Sequence, residues 1–194
     1  MVALALVLAG VGAARLGRWP LTGLVVAGLV ASLLAVDDQR TQASEVATAV
    51  AAEAEVGDLV VTCPDQLGPA TARLLPDDLD QRAYPTGDRP QLVDWVDYAE
   101  RNAAARPWAF AQRLLAEAGT DRRIFVVWAG GYRTFGRDCE RLVNALGRTR
   151  AGEHLVQYDR STFYEPMELH VFRPRSPGSL GGRPVRVAPG AAVG

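Results

Sequence analysis

Lysine is missing from this chain, so all 21 of its basic residues are arginine, set against 22 acidic residues for a formal net charge of -1. That balance removes the electrostatic case for nucleic acid or an anionic membrane surface as the main partner. Alanine, glycine and valine abound, the composition of a high-GC genome. In such a chain arginine is the default cation, and a single arginine says little about chemistry.

Residues that carry chemistry are also scarce. The two histidines, His154 and His170, are far apart in H-x-x-x-H terms, and with two separated cysteines they make no metal set by spacing, so no metal or cofactor is expected. No G-x-S-x-G elbow is present, which leaves nucleophilic hydrolysis without a foothold. The run Gly130-Gly131-Tyr132-Arg133-Thr134-Phe135-Gly136 lacks the lysine and hydroxyl residue of a phosphate loop and is not G-x-G-x-x-G, so a nucleotide site is not supported. Asp94 and Asp97 are i, i+3 neighbours, but surface solvation explains them more simply than an acid and base pair does.

What the chain has is uncharged length near its start. Trp19 to Val36 covers 18 residues without a charge, about 27 Å as a helix and close to the ~30 Å hydrocarbon core, which predicts one spanning helix. Met1 to Ala14 is equally free of charge but reaches only about 21 Å, and reads as part of a longer span. Arg15 and Arg18 lie between the two runs, whereas Asp37 and Asp38 follow the second. Basic flanks favour the cytoplasmic side, so the chain after Val36 is expected outside the cytoplasm. A secretory signal peptide is the competing reading, but it leaves the first run unexplained and no A-x-A site follows Val36. Gly28 and Ser32 make a small-xxx-small pair of the kind that packs against other transmembrane helices, although chance explains it at this composition. Membrane lipid is the first expected partner, and nucleic acid is not one.

After a connecting stretch over 37–57, with a helix from Gln42 to Glu55 that stops at Gly57, elements alternate. Strands are predicted at Leu59–Thr62, Gln81–Tyr84, Ile124–Trp128, His154–Tyr158 and Met167–Phe172. Helices are predicted from Gly68 to Leu75, around Leu92, Val93, Val96 and Ala99, after Pro107 with Trp108, Ala111, Leu114, Leu115 and Ala118 inward, and from Arg137 to Leu146. The period-2 pattern of Met167–Phe172 suits an edge strand. The expected fold class is α/β: a transmembrane helix, plus a partial one, followed by a small Rossmann-like domain over 58–173 with an antiparallel edge strand. From Pro174 the chain has no apolar period and is expected to be a disordered tail over 174–194.

Cys63 follows the first strand and Cys139 falls in the first turn of the helix after Trp128. If those strands are parallel neighbours, both thiols lie at the carboxyl edge of the sheet, and outside the cytoplasm a disulfide is expected. Closing a loop of about 75 residues stabilises by roughly 4 kcal/mol in the chain-entropy model. Two buried free thiols are the alternative. The loops after these two strands lie where open α/β sheets hold ligands. Asp65 and Gln66 in the first are candidates to hydrogen-bond a sugar, and Tyr132, Arg133 and Thr134 in the second are candidates to meet a phosphate or glycan. Against these stand a helix N-cap for Asp65 and a turn forced by the strand end for the glycines.

The stretches VVTCPDQLGPATARLLP, VDWVDYAERNAAA, FVVWAGGYRTFGRDCERL and YEPMELHVFRP resemble the C-terminal exported domain of actinobacterial multi-pass membrane glycosyltransferases related to protein O-mannosyltransferases. The resemblance covers roughly Trp19 to Arg173. It implies transfer of a mannose-like sugar from a polyprenyl-phosphate donor to a glycan or protein acceptor outside the membrane, with the catalytic acid on an early exported loop. This chain has no counterpart of that loop, so no catalytic residue is carried over. The expectation is a C-terminal portion of such an enzyme, with this domain in a supporting or acceptor-recognition role. A non-catalytic membrane-anchored binding or scaffold module is the alternative.

Overall fold

The computed structural model describes residue 12 and residues 18–34 and 40–175. Most of the first apolar run, the pair Asp37 and Asp38, and the tail beyond Arg175 lie outside the described residues. The chain divides into two compact units, Met1–Gln39 and Arg40–Gly194.

In the first unit, helix α1 spans Arg18–Leu34 and exposes Leu24, Leu29 and Leu33 along its length. Ser32 returns its hydroxyl to the Gly28 carbonyl at 2.8 Å, so that small pair is engaged within its own helix. Among the described residues no helix is long and apolar enough to cross a membrane. The expected span ran from Trp19 to Val36, and its last two positions fall outside the described residues.

The second unit is an α/β domain. Its elements are α2 (Ala43–Glu53), β1 (Leu59–Cys63), a 3-10 turn (Asp65–Leu67) running into α3 (Gly68–Ala72), and β2 (Asp80–Ala83). There follow α4 (Tyr98–Ala104), α5 (Pro107–Ala118), β3 (Ile124–Trp128), α6 (Asp138–Thr149), β4 (Ala151–Val156) and β5 (Glu168–Arg173). The five strands form one mixed sheet in the order β2-β1-β3-β5-β4. β2, β1 and β3 are parallel, while β5 runs antiparallel to both β3 and β4.

The sheet is covered on both faces, which is why β1 and β3 read as unbroken apolar runs. One face carries Val60, Phe125, Val127, Leu169 and Val171 against Ala43, Val46 and Val50 of α2. The other carries Val61, Val126, Trp128 and Phe172 against Phe110 and Leu114 of α5 and Leu142 and Leu146 of α6. Helix α5 ends at Gly119, whose φ of 62° is a backbone conformation open to a residue without a Cβ.

Three local expectations need correction. Met167–Phe172 is not an edge strand: β5 lies between β3 and β4, and the edges are β2 and β4. Its polar side was misleading because β4 and α6 cover it, leaving His170 at 2% exposure. The segment around Leu92 to Val96 is not helical. Helix α4 begins only at Tyr98, and Leu92, Trp95 and Val96 stand in solvent on the preceding loop. Trp108, expected inward on α5, is half exposed beneath the Arg148 guanidinium at 5.4 Å, and Phe110 takes the core position instead.

Two buried polar knots fix the ends of the sheet. Asp58 accepts hydrogen bonds from the Arg123 backbone N–H (2.8 Å), the Arg123 Nε (2.7 Å) and the Glu55 backbone N–H (2.9 Å), joining the starts of β1 and β3. Gln42 donates through Nε2 to the Gln157 carbonyl (2.8 Å), and its Oε1 accepts from the backbone N–H groups of Asp159 (3.2 Å) and Met167 (3.1 Å). Beside it Thr41 bridges to Glu165, and Glu165 donates its N–H to the Arg40 carbonyl. The first residues of the domain are thereby sewn to the β4–β5 connection.

Candidate functional site

From β1 the chain crosses outward to β2, then returns past β1 to β3. The carboxyl ends of β1 and β3 therefore flank the point where the winding reverses, the place at which open α/β sheets form a crevice. The loops leaving it are the two singled out from the sequence.

The crevice is closed covalently. Cys63, the last residue of β1, is bonded to Cys139 in the first turn of α6, with a Cα–Cα separation of 5.5 Å. The parallel pairing of β1 and β3, with Cys63 opposite Trp128, is what brings them together, as the sequence reading required. Phe135 fills the space above, packed against Tyr84 and Tyr98. The Tyr84 hydroxyl donates to Asp138 at 3.0 Å; burial, followed by the Asp138 carboxylate, holds its pKa above the usual tyrosine value.

Asp65 is buried here, and among the described residues it has no ion pair. Its Oδ1 accepts a hydrogen bond from the Tyr98 hydroxyl at 2.7 Å, and its backbone N–H donates to the Tyr84 carbonyl at 3.1 Å. Removal from water pushes the Asp65 carboxyl above its ordinary 3.8, an effect that the Tyr98 hydrogen bond only partly offsets. Burial and the Asp65 carboxylate in turn raise the Tyr98 pKa, which keeps its phenol protonated as a donor. The backbone around Asp65 is tightly held: a Cβ on Gly68 would lie 2.3 Å from the Pro90 carbonyl oxygen, so only glycine fits at the start of α3.

A carboxyl whose pKa is raised on folding contributes stability that is present below its unfolded pKa and lost as pH rises through the folded one. Asp65→Asn keeps an acceptor for Tyr98 and never ionises. Its unfolding midpoint, relative to the parent, is expected to improve as pH climbs from below 3.8 towards neutrality. Denaturant titrations of both chains across that window check the sign; a difference independent of pH would contradict it.

The other expected site residues are placed less favourably. Gln66 is half-buried, with its Oε1 lacking a hydrogen-bond partner. Tyr132 is half-buried beside both core clusters, and burial raises its pKa. Arg133 and Thr134 are exposed. Among the described residues no hydrogen bond or ion pair joins Asp65 or Gln66 to Tyr132, Arg133 or Thr134, so the two loops share a sheet edge but form no joint constellation.

Two features were not singled out as site components. The first is an aromatic shelf. Trp95, 62% exposed, lies against Tyr98 with ring centroids 4.8 Å apart, and Tyr98 is the residue that holds Asp65. The helical spacing of Leu92, Val93, Val96 and Ala99 puts both aromatics on one predicted helix, whereas only Tyr98 is helical. A cleft of about 330 Å³ lies between the β2 exit and helices α4 and α5, lined by Pro85, Phe110 and three arginines, Arg101, Arg106 and Arg113.

The second is the pairing of the two histidines. His154 on β4 and His170 on β5 are register partners, their rings stacked 4.3 Å apart, with Glu168 beside both. Sequence spacing gave no metal set because the 16-residue separation hides a cross-strand neighbour. The one local signal was Glu168-x-His170, which puts a carboxylate and an imidazole on the same face of a strand. Burial, followed by the nearby His170, lowers the His154 pKa, while Glu168 opposes that shift.

Comparison with protein-family models, with curated proteins and with solved structures gives no match to this chain.

Proposed function

We propose that the chain is a membrane-tethered, extracytoplasmic recognition domain that holds a glycan acceptor for transfer of a mannose-like sugar from a polyprenyl-phosphate donor. The observation that carries the reading is the Cys63–Cys139 bond across the crevice, since a structural disulfide belongs to an oxidising compartment. The uncharged stretch from Trp19 to Val36, flanked by Arg15 and Arg18 on one side and Asp37 and Asp38 on the other, supports a spanning anchor with the domain outside. Support for a sugar comes from the exposed Trp95 ring, tilted 44° against Tyr98: an aromatic face for the apolar side of a pyranose, beside the Tyr98–Asp65 hydrogen bond. The four strings that resemble membrane sugar transferases supply the donor class.

The role is recognition rather than chemistry. Asp65 is committed to Tyr98, and the loops after β1 and β3 share no joined pair of groups. That separation also favours the second reading, a binding or scaffold module with no transferase attached.

Two measurements test the proposal. A reporter fused after Arg173 is expected to be active only outside the cytoplasm, and activity inside would sink the assignment. Titration of the full chain in detergent with a mannose oligosaccharide is expected to quench tryptophan fluorescence saturably, and Trp95→Ala is expected to abolish the response. Saturable quenching that survives Trp95→Ala, or none in the parent, would remove the shelf as the sugar site.

A further inference from the structure

The cross-strand histidines do more than stack. Glu168 Oε2 lies 3.4 Å from His154 Nε2 and 3.3 Å from His170 Nε2. A tetrahedral zinc ion with bonds of about 2.0–2.1 Å spaces its ligand atoms roughly 3.3 Å apart, so two edges of such a site are already set. One ligand atom from each residue falls within 4.8 Å of the others, so the third edge closes by tilting of the stacked rings. We propose that His154, Glu168 and His170 form a binding site for a divalent transition-metal ion, Zn²⁺ by ligand chemistry, leaving one coordination position open.

The surroundings fit a metal better than a packed core. His170 is 2% exposed, and at this corner His154 Nε2 is buried without a hydrogen-bond partner, with Glu168 Oε2 3.4 Å away. A polar atom left in this way calls for a partner such as an ion. Gln157 Nε2 lies 3.1 Å from His154 Nδ1, so the amide as placed donates to that nitrogen. Binding an ion through His154 Nε2 requires the amide to turn and present its oxygen to an Nδ1–H, the outer-shell arrangement common around ligating imidazoles. Access is open from one side: β4 is an edge strand, and the side chains of His154 and Glu168 keep 26% and 18% exposure. Imidazole with a single carboxylate suits zinc, whereas calcium and magnesium prefer all-oxygen sets. Trp128 pairs with Glu168 in the sheet, so the site sits at the carboxyl end of β3, beside the crevice but on the α5–α6 face.

The test uses the full chain, stripped with a chelator and titrated with Zn²⁺. One ion is expected per chain, with affinity at least about 10-fold weaker in His154→Gln and in Glu168→Gln. Because the chain has two histidines, its imidazole nitrogen resonances give a second readout that needs no variant. Both rings are expected to shift on adding one equivalent of Zn²⁺. Unshifted imidazole resonances, no one-to-one saturation, or equal affinity in parent and both variants would overturn the assignment.

Discussion

Asp58→Ala is expected to lower the unfolding free energy by about 3–5 kcal/mol, the range for breaking a buried ion pair from one side. Asp58 is 3% exposed and is the common acceptor for two backbone N–H groups and the Arg123 Nε. Alanine leaves those donors without a partner in a space too tight for much water, and Arg123 keeps only the exposed Glu55 carboxylate at 2.7 Å. Asp58→Asn keeps one acceptor oxygen, which at the Oδ2 position can take both the Glu55 N–H and the Arg123 Nε, and should lose less. Domains of ordinary size hold only about 5–15 kcal/mol in total, so the alanine variant would approach the unfolding threshold. Equilibrium denaturation of the three chains decides the matter, and a loss below about 1 kcal/mol for Asp58→Ala would show that the knot is not worth its burial.

Opening the cystine comes next. Cys63 and Cys139 are separated by 76 residues, and loss of a native disulfide from a small domain costs about 2–5 kcal/mol. The double replacement Cys63→Ser, Cys139→Ser is expected to fall within that range, with the denaturant midpoint reduced and the slope raised as the unfolded chain expands. Serine adds a second penalty, because both positions are buried and a hydroxyl there needs a partner. Cys63→Ala, Cys139→Ala separates the two contributions. An intact-mass increase of about two hydrogens on reduction verifies the bond itself, and a midpoint that does not respond to reduction would mean that it contributes nothing.

The parts of the fold legible in the sequence were those written in local period. The unbroken runs of β1 and β3 and the spacing of Val46 and Val50 in α2 declared buried faces, and the two strands together placed Cys63 within reach of Cys139. What escaped depends on partners far along the chain. β5 alternates as an edge strand would, and nothing within Met167–Phe172 reveals that β4 folds back outside it. Leu92 and Val96 carry a helical spacing that only the loop's lack of a covering surface annuls. Nothing local in the sequence marks Asp58, because its partner Arg123 lies 65 residues away. Of the candidate site, the two loops were correctly placed at one sheet edge, but the sequence could not show that Asp65 turns to Tyr98 while Arg133 and Thr134 point to solvent.

The Gln42 knot determines how the domain bears load. A pull on the chain at Arg40 does not peel an edge strand one hydrogen bond at a time. It reaches Thr41 and Gln42 first, and through Glu165 and Met167 it arrives at the base of β5, next to the central strand β3. Several bonds must then shear together. A load applied at that end is thereby shared between the sheet's interior and the β4–β5 connection.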